Sequence, residues 1–281
     1  RERVSMADLR PMGVGEILDG ALTIYRRHFI TFVALGVIVL GLPVVLTVYA
    51  QLSGPQQHPV ILFLAAVMQY FAGLLLTAGV IRVISDFYLG RDASLGQALA
   101  LGTQKVWPLF VVGLGKAIVI GLVFIVPGFL AAIAIPLLAK TGGLGALVAI
   151  ALIGGAAWLA AFVACGYGVT TQVVVLEPLG SSFDAFGRSW DLTRGRKLKV
   201  LGLALVAFIL VAVPSIGIGA LAGVLRFSAS SWASVLLVLA AILPVILTPV
   251  LPCVFTLMYY DLRVRREAFD LELLSQQLGA G

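Results

Sequence analysis

Charged residues are scarce in this sequence of 281 amino acids. They make up 11% of the chain, whereas hydrophobic residues make up 61% and the mean hydropathy is +1.10. Soluble domains carry about 25% charged and about 45 to 50% apolar residues. The composition therefore excludes a water-soluble globular domain and indicates an integral membrane protein, with little length left for a soluble catalytic domain.

Cysteine and histidine are also rare, with two residues of each type. Cys165 and Cys253 lie within apolar runs, which excludes a disulfide framework and a zinc site of the CxxC type. His28 and His58 have no spaced His, Cys or acidic partner on their own side, so neither a metal site nor a general base is predicted. The sequence thus predicts no catalytic, cofactor or metal site, and we expect that the chain is not an enzyme.

The sequence does contain long apolar runs. About 20 apolar residues cross a bilayer as a helix, and six uncharged runs reach that length. They predict an all-α polytopic membrane protein with six transmembrane helices, built as a single membrane domain over residues 1–281. The fourth and sixth runs exceed the hydrocarbon thickness and are expected to tilt, kink or project beyond it. The runs are residues 30–50, 60–81, 117–139, 144–176, 200–225 and 232–260.

Positive charge is distributed unequally between the two sides of these spans. Sixteen of the 19 Lys and Arg residues, and all 13 acidic residues, fall on the side that carries both chain ends. Because Lys and Arg concentrate in cytoplasmic loops, both termini are predicted to be cytoplasmic, with residues 262–281 as an amphipathic tail. The net charge of +6 then favours anionic lipid headgroups as partners, and nucleic acid is not expected.

Each outward-going span is preceded by a segment with one apolar and one polar face. This amphipathic pattern predicts helices at the membrane interface. The segments are residues 14–29, 95–106 and 182–192. Each returning span ends at an acid, namely Asp86, Glu177 and Asp261. The order predicts a threefold internal repeat of an interfacial helix and a transmembrane hairpin, although biased composition can also produce such a pattern. The predicted units are residues 14–86, 95–177 and 182–261.

Three polar stretches resemble a known family. They read LRPMGVGEILDGALTIYRRHF (9–29), LEPLGSSFDAFGRSWDLTRGR (176–196) and YYDLRVRREAFDLELLSQQL (259–278). In these stretches the chain resembles the bacterial membrane-domain family named after glycerophosphoryl diester phosphodiesterase. The resemblance implies a stand-alone membrane domain in the bacterial cytoplasmic (inner) membrane. The hydrolase domain of that family, a barrel of about 250 residues with histidines and acids around a metal, is absent from this sequence.

Basic residues on the predicted cytoplasmic face are candidates for binding a lipid headgroup or an acidic partner surface. Arginine offers a planar fork to phosphate, and lysine offers a point charge. Membrane topology alone also explains such charges, and the densest run, SWDLTRGRKLK at 189–199, is open to both interpretations. The candidates are Arg26, Arg27, Arg188, Arg194, Arg196, Lys197, Lys199, Arg263, Arg265 and Arg266.

Other residues predict contacts with or inside the membrane. Aromatic residues that flank the spans are expected to anchor the interface, and these are Trp107, Trp190, Tyr259 and Tyr260. Lys116 has two interpretations, either an intramembrane charge at a functional site or a side chain that reaches to the inner membrane edge. Glycines at 154–155 and 217–223 predict close helix packing.

Three function classes remain open. A noncatalytic membrane protein that organises or binds lipids or partner proteins, such as an accessory subunit of a membrane complex, agrees best with the basic amphipathic face and the missing catalytic groups. The alternative is a transporter or lipid-translocating protein, which the repeat and the prolines within the spans suggest. An intramembrane enzyme is the least favoured class.

Overall fold

The computed structural model describes residues 12–53, 58–88, 94–138, 143–227 and 232–267, which form ten helices. The first half contains α1 (Val14–Arg27), α2 (Phe29–Leu52), α3 (Pro59–Tyr88), α4 (Leu95–Leu137) and α5 (Leu144–Gly166). The second half contains α6 (Thr170–Leu176), α7 (Asp184–Thr193), α8 (Lys197–Phe227), α9 (Trp232–Leu247) and α10 (Val250–Glu267).

Six helical segments within these ranges are long and apolar enough to cross a membrane. Four of them are the single helices α2, α3, α4 and α8, and the other two are α5 continued by α6 and α9 continued by α10. The protein is therefore an all-α polytopic membrane protein, and the prediction of six spans is confirmed.

The fourth and sixth spans, which are too long for one straight crossing, are both interrupted. Residues 167–169 separate α5 from α6, and residues 248–249 separate α9 from α10. Pro249 has no backbone N–H and cannot continue the hydrogen-bond pattern of a helix, which accounts for the second interruption. At the first, the Thr170 hydroxyl donates to the Tyr167 carbonyl at 2.8 Å, so the interruption is stabilised by a local side-chain bond.

The predicted interfacial helix over 95–106 is not a separate element, and this prediction is wrong. Residues 95–137 form one helix of 43 residues, about 64 Å long at 1.5 Å per residue. It begins at Ser94, whose hydroxyl accepts from the Gln97 N–H at 3.2 Å. Pro108, which precedes the apolar run, lies inside the helix without ending it, as prolines within membrane helices often do.

The other two amphipathic segments do form separate short helices, α1 and α7. Glu16 accepts from the Gly13 N–H at 2.6 Å at the start of α1, and Asp184 accepts from the Ser181 N–H at 2.8 Å at the start of α7. Acidic groups at these positions satisfy free N–H groups and favour helix initiation. A short helix thus precedes a pair of spans in the first and third predicted units, whereas the second unit begins directly with α4. Superposition of the three units stays a prediction.

Helix α10 contributes more buried residues than any other described helix. Twelve of its 18 residues are buried, and it packs against α1, α3, α6, α7 and α8. The apolar face of α1 contacts this core, with Ile17 and Ala21 fully buried, and the Tyr25 hydroxyl donates to the Ile246 carbonyl at 2.6 Å. The predicted interfacial helix α1 therefore turns much of its apolar face toward protein, and each large side chain buried there contributes about 1.5–3 kcal/mol.

Tyr259 and Tyr260 are not interface anchors, and the structure corrects that prediction. Tyr259 is 0% exposed and Tyr260 is 6% exposed. The Tyr259 hydroxyl donates to Glu177 at 2.8 Å, and the Tyr260 hydroxyl donates to Ser85 at 3.1 Å. Both rings lie in the protein core, and each hydroxyl has a protein partner there, which is usual for buried tyrosines.

Candidate functional site

The structure separates the ten candidate basic residues into two groups. One group forms ion pairs or hydrogen bonds to backbone carbonyls, within α10 or between helices, and consists of Arg188, Lys199, Arg263, Arg265 and Arg266. In the other group the side chains have no hydrogen-bond or ion-pair partner within the described residues, and this group consists of Arg26, Arg27, Arg194, Arg196 and Lys197. Only the second group has its charge available for a ligand.

Asp261 organises the first ionic cluster. Its side chain is 0% exposed and accepts from Lys199 Nζ at 2.5 Å and from Arg265 Nε at 3.0 and 3.1 Å. The Met12 N–H donates to Asp261 at 2.7 Å, and the Met12 carbonyl accepts from Lys199 at 2.6 Å and from Arg265 at 2.8 Å. The segment that leads into α1 is thereby fixed to α8 and α10, so these two cations have a structural role.

Glu177 and Glu267 organise the second cluster around α7. Arg188 donates to Glu177 at 2.8 Å and pairs with Glu267, which also pairs with Arg263 at 3.0 Å. The hydrogen bond that Arg188 donates to Glu267, and then its hydrogen bond to Glu177 and the two negative charges, raise the pKa of Arg188 above its usual range despite partial burial. Arg266 donates to the Asp191 carbonyl at 2.8 and 3.0 Å. These contacts join α6, α7 and α10.

All three acids that end the returning spans are paired in this way. Asp86 completes the set, because it forms an ion pair with Arg82 one turn earlier on α3, with 2.9 Å between Oδ2 and Nε. No group of three or more His, Cys, Asp or Glu residues that could hold a metal ion occurs in the described ranges. The acids therefore act as structural partners of Arg and Lys.

The available cations on α7 and α8 line a crevice of about 400 Å³. We call it the basic crevice, and its lining residues are Phe162, Trp190, Arg194, Gly195, Lys197 and Leu198. Arg194 and Arg196 are exposed. Gly195 adopts φ = +77° between the two helices, a left-handed conformation that glycine reaches without the strain of a side chain. The turn thus places Arg194 and Lys197 at the same opening.

Lys197 has unusual surroundings within this crevice. Its Nζ lies 3.2 Å from the ring centroid of Phe162 and 3.4 Å from that of Trp190. Within the described residues the buried ammonium nitrogen finds no hydrogen-bond acceptor. Two aromatic faces stabilise the cation electrostatically, while its three N–H donors stay unused. An anionic oxygen that reached this position would supply the missing acceptor.

Trp190 is positioned by a close contact with α5. A Cβ atom added to Gly166 would lie 2.3 Å from the Trp190 ring, so the indole rests directly on the glycine. The hydroxyls of Ser189 and Thr193 on α7 donate to the Gly166 carbonyl at 2.9 and 3.1 Å. These contacts hold α7 against the end of α5 and fix one aromatic wall of the crevice.

The rim of the crevice is both cationic and apolar. Leu198 is 84% exposed and Trp158, which stacks on Phe162, is 70% exposed. Guanidinium and ammonium groups suit phosphate oxygens, while exposed apolar side chains beside them suit acyl chains. The arrangement can therefore accept an anionic headgroup with its hydrocarbon portion alongside α5 and α8.

Comparison with known families assigns the chain to a family. A family model described as "Domain of unknown function (DUF7847)" matches residues 12–263. The chain belongs to this family. No curated protein and no solved structure matches the chain. The match covers all ten helices except the last turn of α10.

The other residues for which the sequence predicted a role in binding or membrane contact lie outside the basic crevice. Trp107 is 66% exposed on α4 and stacks on Phe110 at 5.3 Å, a position open to lipid. Arg27 lies over the Phe87 ring at 5.5 Å, and Arg26 is exposed on the same helix. Lys116 points into the bundle and donates to the Tyr167 carbonyl at 3.4 Å.

Phe162 is the functional candidate that sequence reasoning missed. It lies in an apolar run on α5, 35 positions before Lys197, and no charge or motif distinguishes it from its neighbours. Its only sequence signal is helical spacing from Trp158, since residues four apart lie on the same side of a helix. The crevice forms only when α5 packs against α7 and α8.

Proposed function

We propose that this chain is a noncatalytic integral membrane protein that binds the anionic headgroup of a membrane lipid in the basic crevice. The observation that carries the proposal is the Lys197 ammonium, held between Phe162 and Trp190 without a hydrogen-bond acceptor in the described structure. Exposed Arg194 lies on the same crevice and adds a second cation. A phosphate group supplies oxygens for both.

Charge distribution supports a cytoplasmic position for this crevice. Sixteen of the 19 basic residues occur on the side that carries α1, α7 and the end of α10, and Lys and Arg concentrate in cytoplasmic loops. We therefore propose that both termini are cytoplasmic. The resemblance to the phosphodiesterase membrane domains supports a bacterial inner membrane, and an accessory role beside partner proteins is one form that the proposed function can take.

A pair of double variants tests the proposal. R194Q/K197Q removes two charges from the crevice, and R26Q/R27Q removes two exposed charges from α1. Each protein is purified in neutral detergent, and phosphatidylglycerol binding is measured by native mass spectrometry against phosphatidylcholine. Each basic residue near an anionic headgroup contributes about 1 kcal/mol, so R194Q/K197Q should lower the affinity about thirtyfold. The α1 variant should stay close to the wild-type affinity.

The controls separate binding from folding. Lys197 also packs against two rings, so R194Q alone, at an exposed position, should still reduce the affinity without changing thermal unfolding. Equal losses in both double variants would show diffuse attraction to the whole basic face and would overturn the crevice as the site. Cleavage of glycerophosphodiesters by the purified protein with a divalent metal would contradict the noncatalytic role.

Movement of lipid across the bilayer is a second candidate function. The interruptions at 167–169 and 248–249 favour it, because discontinuous helices with free backbone groups often form the substrate sites of transporters. Reconstitution into liposomes with a fluorescent phospholipid tests it directly. Transbilayer movement faster than in protein-free liposomes would support this function, and identical rates would exclude it.

A further inference from the structure

Lys116 lies at the middle of the longest helix and within its membrane-crossing part. It lies 21 residues from either end of α4, which is about 32 Å along the axis in each direction. Its contact with the Tyr167 carbonyl at 3.4 Å is long, and within the described residues it has no carboxylate partner. A charge within a span is costly without a partner and marks a functional site by default. Its ammonium group retains donors for a ligand.

Two cavities meet at Lys116. The larger has a volume of about 420 Å³ and is lined mainly by apolar residues, including Ile120, Ala161 and Leu201. The smaller has a volume of about 250 Å³ and contains four polar side chains, Thr77, Thr171, Gln172 and Thr248. Lys116, Gly168 and Phe255 line both cavities. The combined site has a polar end, an apolar end and a cation between them.

Gln172 adds a hydrogen-bonding side chain to the polar end of the site. It is 2% exposed, and its Oε1 has no hydrogen-bond partner within the described part of the chain. This oxygen needs a donor, which an ionised carboxylate lacks, so Gln172 can contact an anionic head only through its Nε2 group. Thr171 and Thr248 likewise make no side-chain hydrogen bond among the described residues. These amide and hydroxyl groups can each donate a hydrogen bond to a ligand or accept one from it.

Both helix interruptions border this site. Gly168 belongs to the first and Thr248 to the second, and both residues line the smaller cavity. A Cβ atom on Gly168 would lie 2.7 Å from Val200 Cγ1, so glycine permits α8 to approach the interruption closely. Irregular backbone inside a membrane is tolerated where protein or a cavity surrounds it, which agrees with a binding role here.

We infer that this site binds the anionic head of a single-chain amphiphile, with the head at Lys116 and Gln172 and the chain in the apolar cavity. The cation sets the sign of the head, and the adjoining apolar walls require a hydrocarbon portion. The larger cavity lies toward the lower end of the 300–1,000 Å³ range that is usual for ligand pockets, which suits one chain. A fatty acid and a lysophosphatidic acid share this chemistry. The inference concerns a different cavity from the basic crevice and does not depend on the proposed function.

Binding of palmitate and of its neutral analogue hexadecanol to the full chain tests the inference. The protein is placed in nanodiscs of phosphatidylcholine, and affinities are measured with radiolabelled probes. K116Q should weaken palmitate binding about tenfold or more, because a hydrogen bond to a charged group contributes about 1.5–3 kcal/mol. Hexadecanol binding should not change. K105Q is the matched control, since Lys105 lies on α4, bonds the Val174 carbonyl at 2.8 Å and lines neither cavity.

Further binding measurements identify the chemistry of the ligand head and the cavity in which the probe binds. Lysophosphatidic acid replaces palmitate in a parallel series, and the tighter probe distinguishes phosphate from carboxylate. K116R keeps the charge and should retain binding, which provides a test if K116Q fails to fold. Equal affinity of the wild type for palmitate and hexadecanol, or equal losses in K116Q and K105Q, would overturn the inference. R194Q/K197Q should bind palmitate normally, and loss of binding in that variant but not in K116Q would place the probe in the basic crevice instead.

Discussion

The charged end of the bundle and its opposite half are held together in different ways. At the charged end, the buried Asp261 and the partly buried Glu177 connect helices, and twelve of the 18 residues of α10 are buried. In the opposite half, only 6% of the most apolar stretch of α4 is buried, and side chains such as Phe129 and Leu137 are 66% and 76% exposed. Directional contacts therefore specify the charged end, whereas lipid must cover the apolar surface of the other half.

The largest effect should follow from Asp261→Asn. The carboxylate accepts from Lys199, Arg265 and the Met12 N–H, and its loss leaves two partly buried cations without their partner. Breaking a buried ion pair costs about 3–5 kcal/mol, so we expect a loss of about 3 kcal/mol in the free energy of unfolding in mixed micelles. Asp191→Asn, at an exposed position on the same face, should cost less than about 0.5 kcal/mol. Equal effects would contradict the structural role of Asp261.

A smaller effect on the free energy of unfolding should distinguish glycine-to-alanine substitutions at two positions on α5. Gly166→Ala would push a Cβ atom into the Trp190 ring, whereas a Cβ atom on Gly155 would meet nothing within 4 Å. Overpacking costs about 1–3 kcal/mol, so Gly166→Ala should lower the unfolding free energy and displace Trp190, which tryptophan fluorescence reports. Gly155→Ala should be neutral or stabilising by up to about 1 kcal/mol. A destabilised Gly155→Ala would show that the open half also contains tight contacts.

The smallest expected effect is the pH dependence of stability that arises from His28, between α1 and α2. Burial, and then the nearby Arg27 charge, lower the pKa of His28 below its usual value, and its ring contacts Phe87 at 5.0 Å. The unfolded chain therefore binds a proton more readily, and stability should fall as pH drops below about 6.5. Thermal unfolding between about pH 7.5 and 5.5 checks this. The slope should be reduced in His28→Gln, and an unchanged slope would assign the pH dependence to other groups.

Sequence reasoning predicted the six spans because composition and run length depend only on local chemistry. It also predicted that the two longest runs would tilt, kink or project beyond the hydrocarbon layer. It failed for α4, where the predicted interfacial segment 95–106 and the third span form one continuous helix. Sequence reasoning also predicted close helix packing at the glycine clusters, and this prediction is wrong. A Cβ atom added to Gly166 would lie against Trp190, whereas one added to any clustered glycine would have no neighbour within 4 Å. The clustered glycines are Gly154, Gly155, Gly217, Gly219 and Gly223.

The candidate site was less predictable because its contacts are distant in sequence. The sequence indicated Arg194, Arg196 and Lys197 as a basic run, but not that Lys197 would lie between Phe162 and Trp190. Met12 and Asp261 are 249 residues apart, and no local pattern relates them. Which arginines are paired and which are available therefore depends on tertiary packing, and charge counting alone treats them as equivalent.

The length of α4 also has a mechanical consequence. From Trp107 to Leu137 the helix spans 30 residues, about 45 Å, which matches the 40–45 Å thickness of a bilayer with its headgroups. In a thinner bilayer we expect this segment to tilt, because tilt is the usual response to hydrophobic mismatch. Since α4 packs along α5, and α5 lines both the basic crevice and the larger Lys116 cavity, membrane thickness becomes a physical variable that acts on both cavities at once.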